Sequence, residues 1–188
     1  MFYCFNFKNF FKKLVMTIIV IGALAAIVRY IILPSIFIRK YGELVEKYSA
    51  EYDLDENLVY AVIFVESNFD ESAVSVKDAK GLMQITDRTG TWGAEEIGIE
   101  GFSPEMLFEP EINIHIGCWY LNVLSKQYDF EIETALAAYN AGSGNVSGWL
   151  EDGEYSSDLR TLHTIPFEET QKYVMKVTAI KKVYDYIY

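Results

Sequence analysis

The chain has 188 residues, about one domain's worth, with 27 Asp and Glu against 16 Lys and Arg, for a net charge of −11. Residues 1–40 hold Lys8, Lys12, Lys13, Arg29, Arg39 and Lys40 and no acid, so residues 41–188 carry −17. A body that acidic repels phosphate backbones and argues against nucleic-acid binding. Two cysteines, Cys4 and Cys118, and two distant histidines, His115 and His163, offer neither a disulfide framework nor metal-ligand spacing.

The first element is apolar. From Leu14 to Val28 only Thr17 is polar, and the run resumes at Tyr30–Leu33. Leu14 to Ile38 is 25 residues, enough for a bilayer core that needs about 20. The three lysines ahead of it make residues 1–13 a cytoplasmic basic tail, although Arg39 and Lys40 behind it weaken that vote. The favoured reading is one uncleaved transmembrane signal anchor over 14–38 in the cytoplasmic membrane, with the body on the outer, wall-facing side. Arg29 then snorkels outward, and Pro34 ends or kinks the helix near the outer face. Cys4 and Cys118 would lie on opposite sides and stay unpaired. Two rivals stand: signal-peptide cleavage at Ala23-Leu24-Ala25, which would leave an apolar new N-terminus, and a buried core helix.

The body reads as mainly α. Tyr41–Tyr52 is a short amphipathic helix that continues from the anchor or stands apart. Asp53 or Asp55 caps a helix over about Glu56–Ser67, which is apolar nearly all round and so belongs at a domain centre. Asn68–Asp78 is polar and irregular, and Gly81–Thr86 starts a short helix or turn. Longer helices are expected over Glu109–Tyr128, Glu131–Asn140 and Phe167–Tyr188, the second stopped by Ala141-Gly142-Ser143-Gly144.

Glu66 ends the run Ala61-Val62-Ile63-Phe64-Val65. An acid bordering a core is partly desolvated, which raises its pKa, and a carboxyl protonated near neutrality can protonate a leaving oxygen. Taken alone, a solvated helix-end glutamate is the commoner reading.

Four elements in order change that balance: Ala61 to Ser67, Gly81-Leu82-Met83-Gln84, Ala138-Tyr139-Asn140-Ala141-Gly142, and Ile165-Pro166-Phe167-Glu168-Glu169-Thr170 with Tyr173-Val174. Together, over about residues 52–178, they resemble the lytic transglycosylase family with its lysozyme-like fold. The resemblance implies a catalytic domain over 41–188 that cleaves the bond between N-acetylmuramic acid and N-acetylglucosamine in peptidoglycan glycan strands. Glu66 matches the family's lone acid/base, and Ser67 the serine beside it, with a structural or orienting role. Ser75 matches a cleft serine that hydrogen-bonds the N-acetyl group. Lys77 stands where the family often has a second serine. Met83 and Gln84 match residues flanking the reacting sugars, Tyr139 and Asn140 the cleft pair, and Tyr173 the tyrosine of the last motif. Glu168 and Glu169 read either as a solvated helix start or as ties that hold the cleft together.

Ordinary glycosidases use two carboxylates, and no second acid stands out in the sequence. Asp70, Asp78 and Asp87 lie in polar segments. The resemblance implies substrate assistance instead: the N-acetyl oxygen attacks C1, Glu66 serves both steps, and a 1,6-anhydro sugar forms without water. No cofactor is implied. Trp92, Trp119 and Trp149 are candidate faces for sugar rings. The alternatives are a muramidase on the same fold and a non-catalytic wall-binding or assembly component of a secretion apparatus. A tethered enzyme would also suit an envelope-spanning machine that opens the wall locally.

Overall fold

The computed structural model describes residues 7–188. Cys4, and with it the expected separation of the two thiols, lies outside the described residues, as do the first six residues of the basic tail. Contacts divide the chain into an N-terminal unit ending at Ile38 and a body spanning Arg39–Tyr186.

In the N-terminal unit, an uninterrupted run of helix-compatible residues forms α1, Phe7–Ile27. Pro34 has no N–H to donate, and its ring crowds the carbonyl four residues back. The π-helical stretch Val28–Ile32 takes up that misfit, and α2, Leu33–Ile36, follows with Pro34 in its first turn. The helical path therefore continues past Pro34 and stops at Phe37. Lys8–Ile36 is long and apolar enough to cross a membrane, and no part of its most apolar window is buried. Met16, Ile18, Ile19, Ile21 and Leu24 are all exposed, which overturns the core-helix alternative, since a core helix would bury them. The hydroxyls of Thr17 and Ser35 donate to Lys13 O (3.0 Å) and Ile32 O (2.7 Å) within the helix, as apolar surroundings demand.

The body begins with a break. Tyr41 is left-handed (φ 60°), so α3, Gly42–Glu51, starts afresh and does not continue the apolar helix. Asp55 caps α4, Glu56–Ser67, accepting from the backbone N–H of Asn57 (2.8 Å) and Leu58 (3.1 Å). Leu58 through Ile63 are buried without interruption, as an all-round apolar helix requires. The long α6, Pro110–Gln127, packs against α3, against α5 (Asp87–Ile97) and against α7 (Ile132–Ala141). Its Ile114, Ile116, Leu121 and Leu124 are buried, as are Val59 and Ile63 of α4 and Leu136 of α7. Each such aliphatic side chain contributes about 1.5–3 kcal/mol of burial. The helix α8, Ser143–Glu151, follows α7 directly, and α9, Glu168–Ile187, stacks Tyr184 on Tyr60 with ring centres 5.5 Å apart.

Two α-helices, α5 and α8, were not foreseen. The sequence of α5 holds Gly90 and Gly93 in its interior, each a penalty of about 1 kcal/mol for an isolated helix. Packing explains them: a Cβ on Gly93 would stand 2.8 Å from Ile116 and 3.0 Å from the Trp119 ring. The glycine lets α5 lie close on α6. The segment Gly81–Thr86 is a turn, held by isolated antiparallel bridges of Lys80 with Val74 and Ile85. No strand forms among the described residues.

Candidate active site

The last turn of α4 emerges from the core carrying Glu66. Immediately after it, Asn68 (φ 50°) and Phe69 (φ 63°) are both left-handed, so the chain turns away abruptly and drives Phe69 back into the core beside Tyr60. Ser67 fixes this end: its hydroxyl donates to Leu82 O (2.8 Å), with Ile63 O (3.2 Å) as a weaker alternative. Helix end and Gly81–Gln84 turn are thereby pinned together.

Glu66 is half-buried. Burial pushes its pKa from 4.5 to about 7, partly offset by the nearby Tyr173 hydroxyl, which holds it down. That hydroxyl is buried and lacks a partner at full hydrogen-bonding geometry, so it acts on the carboxyl from close range without a complete bond. Burial, and then the Glu66 charge, push the Tyr173 and Tyr139 phenols well above 10. Tyr139 spends its proton on Met83 O (2.8 Å).

Glu66, Ser75, Gln84, Tyr139 and Asn140 line one cavity of about 180 Å³. Ser75 accepts from the backbone N–H of Lys77 (3.2 Å) and Ala79 (3.0 Å), which leaves its own proton to donate. Gln84 has a left-handed backbone (φ 49°), a conformation worth about 1–3 kcal/mol of strain that recurs at functional sites. Its Nε2 donates to Gly81 O (2.9 Å) and Ala73 O (3.2 Å), so its carbonyl oxygen remains for a ligand. Asn140 accepts from the Thr170 hydroxyl (2.8 Å), tying α7 to α9 and leaving its amide donors.

The cavity opens into a groove. A neighbouring cavity of about 300 Å³ shares Gln84, Tyr139 and Asn140 with it and continues past Tyr120. A third of about 650 Å³ is bordered by Arg88, Trp92, Tyr120 and Gly144. Trp92, 44 % exposed, offers a ring face along this path, whereas Trp119 and Trp149 are buried and serve packing. An elongated channel with one proton-exchanging carboxyl and several fixed polar groups suits a polymeric, neutral-ringed ligand.

The family model for the transglycosylase SLT domain matches residues 43–159. The chain belongs to this lytic transglycosylase family. It is 34% identical over 148 residues to the soluble lytic murein transglycosylase of Escherichia coli, covering 78% of this chain and 23% of that protein. It is 33% identical over 170 residues to the membrane-bound lytic murein transglycosylase C of Photorhabdus laumondii, covering 77% and 46%. The lytic transglycosylase Slt of Pseudomonas aeruginosa, solved as an inactive glutamate-to-glutamine mutant, superposes with a TM-score of 0.71 and 32% identity, covering 79% and 24%. The chain thus spans a quarter to a half of the length of these relatives. The lysozyme-like helical fold expected from the sequence is the fold observed.

In this lytic transglycosylase domain the expected site residues divide into two groups. Glu66, Ser75, Gln84, Tyr139 and Asn140 come together around the cavity, while Ser67, Met83 and Tyr173 stand behind it. Met83 departs from expectation: its side chain is fully buried against Gly117, because its backbone, not its thioether, is what the turn presents. The sequence missed Asn113, which is fully buried. Its side chain donates to Lys80 O (2.9 Å) and Leu107 O (2.7 Å) and accepts from Met83 N (2.7 Å). A lone amide among Ile112, Ile114 and Ile116 was the available signal. Glu169, which the sequence left open between a solvated helix start and a cleft tie, lines the cavity and corrects the expectation that no second acid is near. Asp70 instead caps Ser72, and Asp78 and Asp87 both pair with Lys80.

The Tyr173 contact yields a pH prediction. Because that hydroxyl lowers the Glu66 pKa, Tyr173→Phe will raise it, and any step needing protonated Glu66 will persist to higher pH. The full chain in detergent should show a kcat/KM limb falling above pH 7, displaced upward in the variant. An unmoved or lowered limb would sink the assignment.

Proposed function

We propose that this protein is a membrane-tethered peptidoglycan lytic transglycosylase that cleaves the β-1,4 bond between N-acetylmuramic acid and N-acetylglucosamine, with Glu66 as its only acid/base. The observation that carries this reading is the half-buried Glu66 carboxyl, with a pKa near 7, at the head of a sugar-sized groove. Near neutral pH it holds a proton for about half the time, so it can give one and take one back.

The substrate's N-acetyl oxygen attacks C1 as Glu66 protonates the departing glucosamine oxygen. The Glu66 carboxylate then removes the proton from the C6 hydroxyl, whose oxygen closes on C1 and expels the N-acetyl oxygen. The product is a 1,6-anhydro sugar, Glu66 regains its proton, and no water is consumed. Ser75, the free carbonyl oxygen of Gln84 and the free N–H donors of Asn140 hold the N-acetyl group and ring in place, and that positioning favours internal closure over hydrolysis. The inactive glutamate-to-glutamine mutant of the P. aeruginosa relative supports an essential glutamate.

The apolar helix within Lys8–Ile36 serves in this reading as a single-pass anchor over 14–38, with 1–13 in the cytoplasm and the catalytic domain, 41–188, facing the wall. The membrane-bound name of the P. laumondii relative supports a membrane location.

Glu169 favours one second reading, a muramidase in which it is the second carboxylate. It is exposed and paired with Lys77, poorly suited to hold a nucleophilic water. Mass spectrometry of peptidoglycan digested by the full chain in detergent, beside Glu66→Gln and Glu169→Gln, decides. Anhydro ends formed by wild type and Glu169→Gln, and absent with Glu66→Gln, are expected. Reducing ends that vanish with Glu169→Gln would establish the muramidase.

A further inference from the structure

Two residues that the sequence left without a settled role meet over the cleft. Lys77 occupies the place where the family often has a second serine, on the loop that follows α4. Glu169 lies in the first turn of α9. The Lys77 ammonium stands 3.4 and 3.5 Å from the two oxygens of the Glu169 carboxylate, and both residues line the cavity that holds Glu66. Their side chains are 68% and 71% exposed, so the pair is weak and readily exchanged. Lys77 also borders the next cavity along the groove. Among the described residues lining these two cavities, it is the only base.

The charge around this pair gives it meaning. Residues 41–188 carry −17, so an anion entering the groove meets repulsion from the body as a whole. A single exchangeable ammonium beside the reacting carboxyl reverses that locally. The substrate class proposed above has its charge in a matching place. Each muramic residue bears a lactyl arm on O3, and the arm ends in a free carboxylate or in a peptide that carries its own carboxylates. The arm leaves the same sugar whose C1 must sit beside Glu66.

We propose that Lys77 is a specificity-determining residue that trades Glu169 for a carboxylate carried on the lactyl arm of the strand. Glu169 occupies the ammonium when the groove is empty and sets a threshold that uncharged strands gain nothing by crossing. The groove thereby selects anionic strands over neutral ones. This rests on the proposed substrate, and the test separates the two claims.

Binding is measured with the full chain in detergent, carrying Glu66→Gln so that strands survive. The ligands are peptide-bearing strands, amidase-stripped strands, and each of these with its carboxylates converted to methylamides. Methylamidation should weaken binding about three- to fivefold, the effect of one exposed charge contact, and less at high salt. Adding Lys77→Ser should erase that difference while leaving affinity for the methylamides unchanged. Adding Glu169→Gln should tighten the anionic strands alone. Whichever strand type loses more on methylamidation identifies the lactyl or the peptide carboxylate as the source. Equal binding of charged and methylamidated strands, discrimination that survives Lys77→Ser, or no binding of any strand would overturn the proposal. A pair that merely ties the cleft together would lower affinity for all strands alike. Cleavage by the wild-type chain tests the proposed activity separately.

Discussion

Glu66→Gln will lose strand cleavage by a factor of about 10²–10⁴, the range for removing a general acid or base, and will be the more stable protein above pH 7. The stability half follows from the pKa. An unfolded chain ionises Glu66 near 4.5, whereas the folded chain holds its proton to about 7. Below 4.5 both states are protonated and the group is neutral in the balance. Between 4.5 and 7 the unfolded state releases a proton that the folded state keeps, so stability falls as pH rises. Above 7 the penalty is constant. At about 1.4 kcal/mol per pH unit it comes to roughly 3.5 kcal/mol, and about 2 kcal/mol is a fair expectation for a carboxyl that still touches solvent. Glutamine has no charge to desolvate and escapes this penalty. Thermal unfolding of both full chains in detergent should give near-equal midpoints at pH 4 and a variant several degrees higher at pH 8. Equal midpoints at both pH values would mean that the carboxyl is fully solvated, and the physical basis for its acid role would be gone.

That trade-off explains what the sequence could and could not reveal. Helix α4 was legible as central because it is all-apolar with a capping aspartate. Glu66 at its end was singled out only by the four motif elements in order, since taken alone a solvated helix-end glutamate was the commoner reading. The longer helices α6, α7 and α9 were legible for the same reason of periodicity. α5 was not, because Gly90 and Gly93 obey the demands of a neighbouring helix instead of local propensity. Met83 was misread because the sequence motif marks a backbone turn, and only three dimensions separate what the turn presents from what it buries. Glu169 could not be assigned between solvated helix start and cleft tie because 103 positions separate it from Glu66 in the chain. Its partnership with Lys77 is likewise a product of folding. The positions that sequence reasoning names best are those whose chemistry is set by their own helix. Those it misses are set by elements remote in sequence.

Asn113 is the sharpest example, and replacing it should be the most damaging single change outside the catalytic carboxyl. Its side chain satisfies three backbone groups at once, Lys80 O, Leu107 O and Met83 N, in a fully buried setting. The turn it holds cannot be secured otherwise. Gly81 is left-handed (φ 73°), and a Cβ there would collide with Leu107 O and with Asn113 itself, so amide and glycine fit as a unit. Asn113→Leu fills the same space but strands the Met83 N–H and Leu107 O, each worth about 1–3 kcal/mol when unpaired, while Lys80 O keeps the Ile85 N–H at 3.0 Å. Partial relaxation makes about 4 kcal/mol a reasonable total, near 10 °C in the unfolding midpoint for a body of this size. Asn122→Leu is the control. That residue is also buried, but its side chain makes one hydrogen bond, to Tyr52 O at 2.6 Å, and its loss should cost about 1–2 kcal/mol. Function should separate the two further. The turn held by Asn113 carries Gln84 and receives the hydroxyls of Ser67 and Tyr139, so Asn113→Leu should lower kcat well below the unfolding range, while Asn122→Leu leaves it intact. If the two variants unfold together and cleave alike, the turn is held by something other than Asn113, and the order imposed on the cleft must come from α4 and α7 alone.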